Sequence, residues 1–211
     1  MSQPRPTPRK PGVEPWVAAT LLAALPLVKI LVDTTTGQLG ADPVEALIRR
    51  TGWWALTLLV ATLAVTPVRR FTGWNRIITI RKPLGLMSFL YACLHFLLYV
   101  GIDQFFAFSY IIEDILERPY ITAGFVALLM LLALAVTSRR DSIRKLGGKR
   151  WRRIHFLIYP ASLLAVLHYY WLVKADTRPP LAFAGVVMVL LLARLPGSRL
   201  FSRSLSTPVP R

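Results

Sequence analysis

One cysteine and three histidines stand among 211 residues. A single thiol, Cys93, excludes an intrachain disulfide and any thiolate-bound cluster, so iron–sulfur and structural zinc sites have no ligand set. It reads as a small buried apolar side chain. Acid is scarce as well, with 10 Asp and Glu against 26 Lys and Arg. All ten acids fall in expected links or tails, which argues against a transporter relaying protons through its helices. No G-x-G-x-x-G occurs, and Gly147–Gly148 sits in a basic stretch with no strand before it. Hydride collection from a nicotinamide is therefore excluded, and no catalytic triad or phosphate loop replaces it. The start of the chain lacks the charged region, apolar run and A-x-A site of a removable signal peptide.

What is abundant is apolar sequence. It makes up 55% of the chain, and mean hydropathy is +0.51. A bilayer core about 30 Å thick takes roughly 20 apolar residues in a helix, and lipid offers the backbone no other partner. Six stretches qualify: Trp16–Val32, Trp53–Val68, Pro83–Val100, Tyr120–Thr137, Ile154–Val173 and Pro180–Ala193. The expected fold is all-α, a polytopic membrane bundle of six transmembrane helices over residues 16–195. Residues 1–15 and 196–211 read as loose, disordered tails.

The formal net charge of +16 does not mark a nucleic-acid surface, because it sits between the apolar stretches. Arg69, Arg70, Arg76, Arg81 and Lys82 fill the link after the second stretch. Arg139, Arg140, Arg144, Lys145, Lys149, Arg150, Arg152 and Arg153 fill the link after the fourth, against Asp141 alone. The alternate links carry Asp33, Asp42 and Glu45 with Arg49 and Arg50, and then Asp103, Glu113, Asp114 and Glu117 with Arg118. The positive-inside rule places both termini in the cytoplasm. Lys29 is expected to snorkel, Tyr169, Tyr170 and Trp171 to form an interfacial belt, and the outer cations Arg49, Arg50, Lys174 and Arg178 to anchor at the interface or meet cofactor carboxylates.

Intramembrane ionisable groups are costly and usually functional, and all three histidines fall in expected helices. His95 lies twelve residues after Pro83, about 18 Å deep, and His168 fourteen after Ile154, about 21 Å deep. Two imidazoles at matched depth on separate helices make a bis-histidine haem site. Hydrogen bonding to a neighbouring helix is the plain alternative for either one alone, and zinc lacks an acidic or thiol third ligand. His155 lies thirteen residues before His168, about 140° around the same expected helix. It cannot share that iron. The matching inner positions before His95 are Arg81 and Lys82, not histidine, so His155 is open to a second haem with an unusual partner, a flavin contact or a structural role.

Several stretches together carry a family resemblance. They are Gly40–Val44, Arg81–Leu86 leading to His95, Arg118–Tyr120, Lys145–Gly147 with Lys149–Trp151, His155, and His168–Lys174. In that order the chain resembles the haem-binding membrane subunits of periplasmic methionine-sulfoxide reductase systems, within the ferric-reductase-like transmembrane group. The resemblance implies haem b and FMN as cofactors and a place in the bacterial inner membrane. It implies electrons taken from the quinone pool or a cytosolic flavin reductase, and a molybdenum-cofactor (molybdopterin-dependent) reductase in the periplasm as the partner that repairs oxidised proteins. It matches His95 and His168 to haem histidines, His155 to the family's inner histidine, and Arg81 to the position where four-histidine relatives carry an inner ligand. A stand-alone ferric or quinone reductase is the competing reading, weakened by the lack of a fused flavin domain.

Overall fold

Charge and proline set where the helices begin. In the computed structural model, which describes residues 14–194, Asp42 accepts a hydrogen bond from the Glu45 amide at 2.9 Å and Pro43 opens the helix behind it. This cap is ordinary N-terminal chemistry. It starts α2 (Pro43–Thr72) ten residues before the expected Trp53, because Glu45 and Arg49, paired at 3.1 Å, carry the helical frame beyond the apolar stretch. Arg49 and Arg50 therefore belong to a helix and not to a link. Gly73 closes α2 in the left-handed conformation, φ 69°, its amide bonded to the Arg69 carbonyl.

Before it lies α1 (Pro15–Thr35), so the expected tail of 1–15 gives Pro15 to a helix; the rest of that tail but Glu14, and residues 196–211, lie outside the described residues. A 3₁₀ turn, Asn75–Ile80, leads into α3 (Arg81–Leu98), and a π turn, Tyr99–Asp103, leads out of it. Then come α4 (Phe108–Glu117), α5 (Pro119–Val136), α6 (Arg140–His155), α7 (Ile158–Leu172) and α8 (Arg178–Leu192). Neither α4 nor α6 was expected as a helix. One is a short acidic segment held by Asp114, which accepts from the Tyr99 hydroxyl at 2.8 Å and pairs with Arg118 at 2.9 Å. The other is the basic link itself, kinked at Gly147, φ 71°.

The fifth expected helix is divided. Pro160 has no N–H and crowds the carbonyl four residues back, and the chain steps through Phe156 and Leu157 in a tighter turn. His155 thus ends α6 while His168 lies in α7, so the angle drawn between them on one helix does not apply. Among the described residues, α1, α2, α5 and the continuous run Asn75–Asp103 are long and apolar enough to cross a bilayer; α8 is apolar but shorter. Fifteen residues, as in α7 and α8, rise about 22 Å.

Two helix pairs dominate the packing, α2 with α3 and α5 with α7. At one end, where the arginines gather, Leu59 and Leu63 of α2 meet Leu131 and Leu134 of α5 and Ile158 and Ala161 of α7 in a shared core. At the other, α1, α3 and α7 finish and α2, α5 and α8 begin; the histidine pair lies there. On the α1 side, the buried Tyr91 hydroxyl donates to the Ala23 carbonyl at 3.0 Å and Ser88 to the Ala55 carbonyl at 2.8 Å, tying α3 to both neighbours. Tyr91→Phe removes one such tie and should cost about 1 kcal/mol, measurable as a lower unfolding midpoint in mixed detergent with the helical content unchanged.

Candidate functional site

His95 and His168 come together as their depths suggest. Their ring centroids lie 6.0 Å apart with the planes 81° from parallel. Each ring is held by its own helix pair. His95 Nδ1 lies 2.8 Å from the Ile48 carbonyl of α2, and His168 Nδ1 lies 2.7 Å from the Tyr120 carbonyl of α5. A carbonyl only accepts, so each Nδ1 carries the proton and each Nε2 keeps its lone pair. That is the tautomer a metal-binding imidazole needs.

Four residues beyond each carbonyl stands a glycine. A Cβ on Gly52 would fall 2.9 Å from His95 Nδ1, and one on Gly124 would fall 2.7 Å from His168 Nδ1. Residues four apart share a helix face, so carbonyl and glycine together shape one notch per pair. The same device appears twice, as Ile48–Gly52 with His95 and as Tyr120–Gly124 with His168. Glycine lets two helices close up at small cost in lipid; any larger residue would push the imidazole off its carbonyl.

The donor set fits haem. A ring nitrogen sits ~2 Å from a first-row metal, so two imidazoles on one iron have centroids near the separation seen. Among the described residues no group of three His, Cys, Asp or Glu side chains gathers. Two nitrogens alone do not complete tetrahedral zinc, whereas a porphyrin brings its own four.

Around the pair, charge is managed differently from what the sequence suggested. Asp33 lies within α1 and is 4% exposed, so an acid does sit in a helix. Lys29 reaches it at 3.0 Å and Arg50 at 2.5 Å. Arg50 is engaged by Asp33 rather than left for a cofactor carboxylate, and Lys29 stays 73% exposed at its side chain while paired. Arg118 bonds the Tyr120 hydroxyl at 3.3 Å as well as Asp114, linking α4 to the helix that holds His168. Of the three aromatics expected as a belt, Tyr170 and Trp171 are exposed, while Tyr169 packs against Phe183 with ring centroids 6.2 Å apart.

His155 stands at the opposite end. Its ring stacks on Trp151, centroids 3.8 Å apart, and its Nδ1 lies 3.1 Å from the Trp151 carbonyl. Trp151 in turn donates to the Thr137 carbonyl at 3.0 Å, pinning α6 to the end of α5. Arg81, singled out with it in the sequence, opens α3 at this same end and lies within electrostatic range of His155.

The profile of ferric-reductase-like transmembrane components matches residues 51–166, more than half of the chain. The haem-binding subunit MsrQ of protein-methionine-sulfoxide reductase from Rhodospirillum rubrum is 49% identical over 179 residues, covering 85% of this chain and 86% of the relative. The chain belongs to the MsrQ family. A relative of the same description from Xanthomonas axonopodis pv. citri is 51% identical over 153 residues, covering 72% of this chain and 70% of its own length. One from Herminiimonas arsenicoxydans is 44% identical over 177 residues, covering 83% and 81%. The ferric-reductase-like segment includes Gly52, His95, Gly124 and His155 but stops two residues before His168, so in this MsrQ-family chain the geometry is what adds the second imidazole.

Because each notch is filled to contact, Gly52→Ala and Gly124→Ala are overpacking changes, expected to cost about 1–3 kcal/mol. In ¹⁵N-histidine spectra the parent chain should show both rings protonated at Nδ1. Each alanine variant should lose that signature for its own histidine while the other keeps it.

Proposed function

We propose that this chain is the haem b electron-transfer subunit of a methionine-sulfoxide reductase system, with His95 and His168 as the axial ligands. The observation that carries the reading is the facing pair of rings, each with Nδ1 occupied by a carbonyl of a different helix pair. Bound between them, haem supplies a one-electron iron couple. The chain's own part is mechanical and electrostatic. Ile48 and Tyr120 set the tautomer, Gly52 and Gly124 set the ring positions, and the surrounding helices exclude water. Sulfoxide reduction belongs to the partner, a periplasmic molybdopterin-dependent catalytic subunit; the chain brings it electrons from the quinone pool, a cytosolic flavin reductase or both. FMN joins haem as a cofactor on the strength of the family likeness.

The same reading puts the chain in the bacterial inner membrane, crossing six times with both termini cytoplasmic. The charge pattern supports it. Asp33, Asp42, Glu45, Asp103, Glu113, Asp114 and Glu117 lie at the histidine end, and the basic links lie at the other. The short α7 then crosses prolonged through the Phe156–Leu157 step, and the short α8 packs on it through Val187 and leaves an apolar face outward. His155 and Arg81 lie at the cytoplasmic end in this orientation, as candidates for the inner cofactor contact.

Protein purified after haem-sufficient expression should show the spectrum of low-spin b-type haem. His95→Ala and His168→Ala should each abolish that haem, and His155→Ala should leave its spectrum largely intact. An absent Soret band in the parent chain, or full haem content in either of the first two variants, would refute the assignment.

A further inference from the structure

Among the described residues, two buried side-chain polar atoms have no hydrogen-bond partner: Thr66 Oγ1 and Arg194 Nε. Both lie at the arginine end. Arg194, just past α8, reaches back into the bundle. Its Nη1 donates to the Tyr159 hydroxyl at 2.9 Å, its Nη2 donates to the Leu63 carbonyl, and its guanidinium lies over the Tyr159 ring, 5.4 Å from the centroid. Leu63 and Thr66 are neighbours on one face of α2. Thus Arg194 is anchored at two corners while its Nε–H stays buried and unmet.

A second guanidinium opens α3 at the same end: Arg81, half-buried. One turn further along α3, a Cβ on Gly85 would lie 3.5 Å from the Thr62 methyl of the antiparallel α2. Arg81 therefore stands level with Thr66, one turn beyond Thr62 and on the stretch whose Leu63 carbonyl Arg194 holds. Arg194, Tyr159 and His155 are all within its electrostatic range. The ion pairs among the described residues involve Lys29, Arg49, Arg50, Arg76 and Arg118, and none involves Arg81 or Arg194. Even Arg76, in the adjoining turn and well exposed, has Glu14 at 3.7 Å. Drawing two cations together with no acid is unfavourable. An anion from outside the described residues removes the penalty and gives the orphaned Nε–H an acceptor.

We infer that Arg81 and Arg194, with Thr66 beside them and His155 at the edge, form a binding site for a phosphate monoester. The charge selects this class. A monoester carries about −1.5 to −2 at neutral pH and balances two guanidiniums, whereas a carboxylate balances one. Guanidinium forks also suit phosphate oxygens. Two sources present that group: a mononucleotide such as FMN, and a lipid with a phosphatidic acid head. The inference does not rest on the haem assignment, since it concerns the opposite end of the bundle and is read through phosphorus, not iron.

The test uses the full, haem-loaded chain in a phosphorus-free detergent, washed until the filtrate contains no phosphorus and then offered FMN or short-chain phosphatidic acid. Riboflavin, which lacks the phosphate, is the control. The parent chain should retain about one phosphorus per chain with at least one probe, and riboflavin should not compete. Flavin fluorescence after denaturation identifies the mononucleotide, and mass spectrometry of an organic extract identifies the lipid. Arg81→Gln should weaken retention by roughly tenfold or more, and the Arg81→Gln/Arg194→Gln pair should abolish it. The Arg81 side chain makes no hydrogen bond to the described residues, so its single variant keeps the test valid if the double variant fails to accumulate. The His95–His168 haem spectrum reports folding. A parent chain that holds neither probe, an Arg81→Gln variant that holds phosphate as well as the parent, or equal competition by riboflavin would each overturn the inference. Loss of the haem band in the parent chain would instead count against the haem reading and leave this one standing.

Discussion

The bond from each imidazole Nδ1 to a backbone carbonyl is the constraint around which the histidine end is built. It demands that α3 approach α2, and α7 approach α5, until ring and main chain touch. That demand explains Gly52 and Gly124, where a methyl group would fall inside 3.0 Å of a ring atom. It also explains why the carbonyls come from the opening turns of α2 and α5: near its start a helix can be aimed by its cap, and Asp42 with Pro43, and Pro119, supply that aim. A ring fixed this way presents one nitrogen and one tautomer. Ligand preorganisation here is a property of helix spacing more than of any polar network.

The two ends of the bundle solve opposite problems. The histidine end keeps its buried charge balanced, with Asp33 between Lys29 and Arg50 and Asp114 between Tyr99 and Arg118. The arginine end does not. There the apolar core formed by Leu63, Leu131 and Ile158 closes the helices, while Arg81 and Arg194 stand at that end with no acid paired to either among the described residues.

Much of this was legible in the sequence, and the failures have physical causes. The histidine pair could be found by counting residues from the basic ends of the third and fifth apolar stretches, since a helix in lipid converts count into depth at a fixed rise. The four long spans followed from apolar length. The early start of α2 was written in Asp42, Pro43 and Glu45, a capping signal outvoted by hydropathy once Arg49 and Arg50 broke the apolar run. The break before α7 was written in Pro160. Gly52 and Gly124 gave no such warning, because a glycine in a membrane helix states that something comes close without stating what. Asp33 falls just past the apolar stretch that ends at Val32 and so reads as a link residue, whereas Lys29 of its own helix and Arg50 from the next together balance it inside α1. Neither α4 nor the helical part of the basic link has the apolar length on which the span reading relied.

Each half of the histidine site is complete within one helix pair. Ile48, Gly52 and His95 all belong to α2 and α3; Tyr120, Gly124 and His168 all belong to α5 and α7. During synthesis the first half can therefore finish its notch and orient its imidazole before the second has left the ribosome. The halves meet through apolar packing at the arginine end and through the His95–His168 ring pair at the other. A group held by both nitrogens, as proposed for haem, would rivet two independently made hairpins, and its capture would then be the last step of assembly and a report that both halves were inserted correctly.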